Sequence, residues 1–123
     1  MAEDRATKGI ALVQRLLGNA AGKTPLPPEF ARMTIEHLFG EVWQGEGLVI
    51  EERSLATCAV LIALGRESEQ RLHFRGARNL GIPRAKLEAL ITHIAHYAGW
   101  PVAVGAFRVL DEVWSAMDQE GSR

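Results

Sequence analysis

One segment constrains this chain more than any other. From about Ile50 the sequence reads "IEERSLATCAVLIALG", and after Ser54 it is apolar on nearly every face of a helix. A helix that is apolar all round has to be enclosed. The pattern therefore predicts a central helix with others packed about it.

The rest of the chain supplies those others, because apolar residues recur at three- and four-residue steps throughout. In "RATKGIALVQRLLG", Ile10, Val13, Leu16 and Leu17 keep that spacing and Gly18 is a stop. "NAAGKTPLPP" breaks the pattern as a loop, and Pro27 and Pro28 suit the first turn of a second helix. That helix runs through "EFARMTIEHLFGEVW", with Phe30, Met33, Ile35, Leu38 and Phe39 expected on its buried side. "QGEGL" is a turn. Beyond the apolar helix, "SEQRLHFRGARNL" forms a fourth, which "NLGIP" ends with Gly81 as its cap. "RAKLEALITHIAHYAG" forms a fifth, and a sixth begins at Pro101 and runs through "VAVGAFRVLDEVWSAM", with its last residues expected to fray. No segment alternates as a strand does. The fold class read from this pattern is all-α, a single-domain bundle of about six helices.

Composition removes several classes of function. Fourteen basic residues against fifteen acidic ones leave a formal net charge of −1, without the basic surplus of a nucleic-acid binder. The single cysteine, Cys58, allows no internal disulfide and no CxxC pair. The N-terminal stretch "MAEDRATKGIALVQRLLG" has neither the charge pattern of a signal peptide nor the length of a membrane span. The expectation is a soluble, cytoplasmic protein with no nucleic-acid or membrane partner.

Five stretches in register carry a more specific message: "FGEVW" (39–43), "ERSLATCAVLIALGR" (52–66), "LHFRGARNLG" (72–81), "HIAHYAGWP" (93–101) and "AFRVLDEVW" (106–114). In order and spacing they resemble the carboxymuconolactone decarboxylase family, within the alkylhydroperoxidase D-like superfamily. The resemblance divides the chain into an N-terminal helix and loop, 1–25, and a family-like helical domain, 26–120. The superfamily's peroxidase branch carries a CxxC pair ahead of a histidine, with a glutamate upstream. Counting back from His73, those cysteine positions hold Arg66 and Glu69, and the glutamate position holds Ser54. A thiol peroxidase needs a thiolate and a resolving thiol, so the resemblance points to the decarboxylase branch.

That branch implies a cofactor-free decarboxylation of a small carboxylated lactone from aromatic breakdown. The protein then has to anchor a carboxylate, polarise a carbonyl and deliver a proton to carbon. No metal is required, and the sequence shows no His/Asp/Glu cluster with good ligand spacing. His73, at the family's histidine position, is assigned as general acid or proton shuttle. Glu41 is the second catalytic candidate, either as a partner of His73 or of a nearby arginine, or as an ordinary helix-end acid. Arg53 either grips the substrate carboxylate or pairs structurally with Glu52 or Glu41. His93 and Tyr97, four apart on the fifth helix, are assigned to substrate binding beside His73 in one pocket, Tyr97 alternatively being a core aromatic. His96 falls where the family usually has an apolar aromatic, which sets it aside as a site residue. Cys58 reads as a small core residue, and Trp43, Trp100 and Trp114 as packing or interface anchors.

A short helical chain with so much apolar surface is expected to associate. The resemblance implies a homotrimer or homohexamer. Two other functions stay open: another lactone or proton-transfer reaction, and a non-catalytic oligomer that binds a small ligand.

Overall fold

The computed structural model describes residues 2–20 and 24–121. Part of the expected loop, residues 21–23, and the end of the tail expected to fray, residues 122–123, lie outside the described residues. The chain is all-α. Its helices are α1 (Ala2–Leu17), α2 (Pro28–Met33), α3 (Ile50–Ala63), α4 (Glu67–Asn79), α5 (Arg84–Ala98) and α6 (Trp100–Gly121). A 3₁₀ turn, Gly18–Ala20, follows α1, and α2 runs on without a break into a π-helix, Thr34–Val42.

The α4–α5 corner shows how local sequence sets these boundaries. Gly81 takes φ 87°, so its amide reaches Arg78 O at 2.9 Å and that of Ile82 reaches Ala77 O at 3.0 Å. These two bonds satisfy carbonyls that the end of α4 would otherwise leave open. Pro83 then opens α5.

Two cores result. The larger joins α3 to α6 around Ile62, Phe74, Leu87, Ile91 and Leu110, all fully buried. Each such side chain contributes about 1.5–3 kcal/mol of transfer free energy. The smaller packs Leu12, Leu16 and Leu17 of α1 on Phe39 and Trp43, and Leu80 touches both. Gly9 and Gly40 permit this crossing. A Cβ on Gly40 would lie 2.2 Å from Arg5 O, and one on Gly9 2.1 Å from Ile35 O. Along the other side of α4, Arg71, Arg75 and Arg78 pair with Glu112, Glu120 and Asp118 of α6.

Two expectations from sequence need correction. The apolar helix α3 is not enclosed in this chain: Ser54, Cys58 and Ile62 face the core, while Val60 and Leu64 are 55% and 67% exposed. The second helix also buries fewer residues than its spacing suggested, since Phe30, Met33 and Leu38 are exposed. Phe30 and Met33 lie on α2, which buries no residue, and Leu38 lies on the π-helix that follows. Its i→i+5 bonding, as in Trp43 N to Leu38 O at 2.9 Å, changes which residues share a face. Phe39 and Trp43 become the inward pair, their rings 5.6 Å apart.

The tryptophans divide in the same way. Trp43 is core, Trp114 lies half-buried with the Arg78 guanidinium 5.2 Å from its ring, and Trp100 is 62% exposed. Among the described residues, no helix is long and apolar enough to cross a membrane.

Candidate active site

α4 buries Gln70, Phe74 and Ala77, which leaves His73 at the edge of that face. There it joins the wall of an apolar pocket of about 360 Å³. Val13 and Leu17 come from α1, Ile35 and Phe39 from the π-helix, and Leu26 and Ala31 from the α2 side. Thr34 also lines it, but its hydroxyl is occupied, donating to Phe30 O at 2.9 Å. Among the described residues lining the pocket, His73 alone is ionisable.

Burial pushes the His73 pKa below its ordinary value, and the Glu69 charge one turn earlier partly opposes that shift. Nδ1 is buried with no hydrogen-bond partner among the described residues. A proton there would lack an acceptor, at a cost of about 1–3 kcal/mol. A bare lone pair there would equally lack a donor, so no described neighbour fixes which ring nitrogen carries the proton.

Glu41 lies elsewhere. It sits exposed on the π-helix, accepts a hydrogen bond from His37 Nδ1 at 2.8 Å, and has Arg5 Nη1 at 3.5 Å. The His37 bond, then the Arg5 charge, holds its carboxyl below the usual range. Its arginine partner is thus on α1, and neither His73 nor Arg53 is bonded to it. Arg53 is engaged with backbone, Nε donating to Leu48 O at 3.3 Å and Nη2 to Gly45 O at 3.2 Å, so it braces the turn between the π-helix and α3. Glu52 caps that helix by accepting from Val49 N at 3.0 Å.

His93 and Tyr97 do share a face, with ring centroids 5.1 Å apart. They do not share the His73 pocket. α5 directs Leu87, Ile91, Ile94 and Ala95 inward, which turns His93 and Tyr97 to the outside of the same chain. Tyr97 is 81% exposed, which removes the reading of it as a core aromatic. His96 lies on this outer surface too, with Nδ1 2.8 Å from Thr92 O and its ring edge-on to Trp100.

Cys58 is fully buried, and desolvation pushes its thiol pKa up to about 12, far from a reactive thiolate. At the positions where the peroxidase branch has its thiols, Arg66 and Glu69 form an ion pair at 2.9 Å. Among the described residues, no three of His, Cys, Asp and Glu are grouped so as to hold a metal.

Residues 28–112 match the carboxymuconolactone decarboxylase family. The chain belongs to that family. A 4-carboxymuconolactone decarboxylase from Acinetobacter baylyi is 42% identical over 86 residues, covering 70% of this chain and 64% of the relative. That alignment spans less than two thirds of the Acinetobacter protein's length. A nitrosuccinic acid decarboxylase, npaB, from Metarhizium robertsii is 32% identical over 113 residues, covering 92% of this chain and 77% of the relative. The family match includes His73 and most of its pocket and leaves α1 outside.

Sequence reasoning overlooked three contributors: His37, Arg5 and the α1 wall of the pocket. The i,i+4 spacing of His37 and Glu41 was a usable signal for the first. Nothing local announces the others, since Arg5 and Val13 meet their neighbours only through the helix crossing.

Proposed function

We propose that the protein is a cofactor-free carboxy-lyase acting on a small carboxylated lactone of the 4-carboxymuconolactone type, in the breakdown of aromatic compounds. The observation that carries the reading is His73, a half-buried imidazole on the wall of an otherwise apolar pocket. The two named relatives add a chemical constraint. Both act on acids that can pass electrons from the departing carboxylate into a neighbouring sink, a lactone carbonyl in one and a nitro group in the other.

On this reading the C–C bond to the carboxylate breaks heterolytically and CO₂ leaves. The electron pair moves through the conjugated double bond onto the lactone oxygen. A protonated His73 ring hydrogen-bonds to that enolate oxygen and then transfers its proton to carbon, which returns the imidazole to its neutral form for reprotonation from solvent. An apolar pocket favours this step, because it disperses charge away from the poorly solvated carboxylate. Leu26, Ala31 and Phe39 shape the space around the ring.

The same reading makes the protein a cytoplasmic homotrimer or homohexamer. Val60, Leu64, Tyr97 and Trp100 form exposed apolar surface of the kind that a second copy covers. In such an assembly His93 and Tyr97 would serve a neighbouring copy's pocket, and Glu41 and Arg53 would keep the pocket's surroundings in place. A second reading, a non-catalytic binder of a small ligand, is favoured by one observation: among the described residues, no lysine or arginine lines the His73 pocket to anchor a carboxylate.

Turnover of 4-carboxymuconolactone and of nitrosuccinate by wild type and His73→Ala, with oligomeric state followed by sedimentation, separates the two. Wild-type decarboxylation that the assembled variant has lost supports the carboxy-lyase. An assembled wild type inert toward both acids sinks it, and a fully active His73→Ala removes the histidine from the mechanism.

A further inference from the structure

Back to back with the His73 pocket lies a larger cleft of about 670 Å³, between α1 and the turn that joins the π-helix to α3. The two share a partition: Phe39 lines the pocket and Trp43, packed against it, lines the cleft. Their linings differ in kind. Among the described residues the pocket has no lysine or arginine, whereas the cleft has Lys8 and Arg15 on its α1 side.

Lys8 and Arg15 are seven residues apart, two helical turns, or about 10.5 Å along the axis. Ala11 and Leu12 lie between them on the same face, so apolar surface separates the two charges. Arg5, on this same helix, is tied to a carboxylate, but among the described residues neither Lys8 nor Arg15 is in an ion pair or hydrogen bond. Trp43 and Ile50 continue the apolar surface inward, and among the described residues Glu46 is the one acid on the lining. The opposite rim is fixed in place, because Arg53 holds the carbonyls of Gly45 and Leu48.

We propose that this cleft is a second ligand site, distinct from the His73 pocket, for a small organic carboxylate with an apolar body. The volume is within the range of small-molecule sites. Two unpaired cations against one acid give the lining a positive balance, and the apolar stretch between them suits a ring or short chain. α1 is outside the family match, so the cationic half of the site comes from the segment that precedes the shared family segment.

The test uses the full chain with methyl-labelled Leu, Ile and Val side chains, titrated with benzoate and, separately, with neutral benzamide. Saturable shifts are expected at Leu12, Leu48, Val49 and Ile50. Lys8→Gln/Arg15→Gln should weaken benzoate at least tenfold at those methyls, while Leu17, Leu26 and Ile35 around His73 keep their wild-type response. Benzamide should bind at least tenfold more weakly than benzoate. The absence of saturable cleft shifts, unchanged benzoate affinity in the double variant, or equal affinity for benzamide would each overturn the proposal. Because the His73 pocket is read by its own methyls, none of these outcomes bears on the decarboxylase reading.

Discussion

The crossing of α1 with the π-helix makes a sharp prediction for Gly40→Ala. The new Cβ would lie 2.2 Å from Arg5 O, 2.8 Å from Arg5 C and 2.9 Å from Ile35 O, whereas ordinary contact begins at 3.4 Å. All three atoms are backbone, so no rotamer relieves the clash, and clearing Arg5 O alone requires the helices to separate by more than about 1 Å. Overpacking of this kind typically costs about 1–3 kcal/mol. An upper bound comes from Leu12, Leu16 and Leu17, which α1 buries: losing all three would remove about 5–9 kcal/mol. Partial separation is therefore expected to cost about 2–4 kcal/mol. At on the order of 4 °C per kcal/mol for a chain of this size, the melting temperature falls by about 8–16 °C.

Calorimetry or urea unfolding measures the loss, and Gly47→Ala is the control. A Cβ at Gly47 meets nothing within 4 Å, so that variant should be neutral or slightly stabilised. Gly9→Ala strikes the same crossing, 2.1 Å from Ile35 O, so the Gly9/Gly40 double variant should cost less than the sum of the two single ones. Gly40→Ala unfolding within about 0.5 kcal/mol of wild type would refute the reasoning, since it would mean the crossing yields without loss.

Three further outcomes are expected. His73 has a folded pKa below its unfolded value, so the unfolded chain takes up the proton first as pH falls; its contribution is fully present above about pH 6.5 and is lost toward acid. Urea midpoints between pH 8 and 5 should therefore fall more steeply for wild type than for His73→Gln, and the opposite order would contradict the assignment. With its pKa near 12, the Cys58 thiol should resist Ellman's reagent at pH 8 until the protein is unfolded in guanidinium, and rapid native labelling would show that the site is open. Arg53→Ala removes two hydrogen bonds to the turn and should cost about 1–3 kcal/mol in urea unfolding, with Arg53→Lys restoring only part of it. Intact stability with lost turnover would instead place Arg53 at the substrate.

What could be read from the sequence was whatever is encoded locally. Helix order and boundaries followed from residues such as Gly81 and Pro83, whose backbone preferences act over a few positions. His73 was identified because the five family-like stretches fixed its place in the pattern. The π-helix was not legible: "TIEHLFGEV" has ordinary helical periodicity, and nothing in it marks the i→i+5 bonding of the segment that α1 crosses at Gly9 and Gly40. Glu41, on that segment, lies beside His37 and Arg5 rather than beside His73. The expected meeting of His73 with His93 failed for a different reason. Spacing along α5 put His93 and Tyr97 on one face correctly, but it carried no information on which way that face points. Inward-facing Ile91 and Ile94 decided it.

The pocket is thus assembled from two kinds of sequence. His73, Leu72, Ile35 and Phe39 lie within the family-matched segment, whereas Val13 and Leu17 come from the helix that precedes it. On the proposed mechanism these parts do different jobs. The shared part supplies the imidazole and the apolar surroundings that make loss of CO₂ feasible, and α1 sets how much room is left beside the ring. Enlarging that room with Val13→Ala or Leu17→Ala should then alter which acid is turned over best while the pH dependence of turnover stays that of His73. A change at His73 should lower turnover of every acid together. Divergence along these lines would make α1 the element that sets substrate size, although it contributes no ionisable group to the pocket.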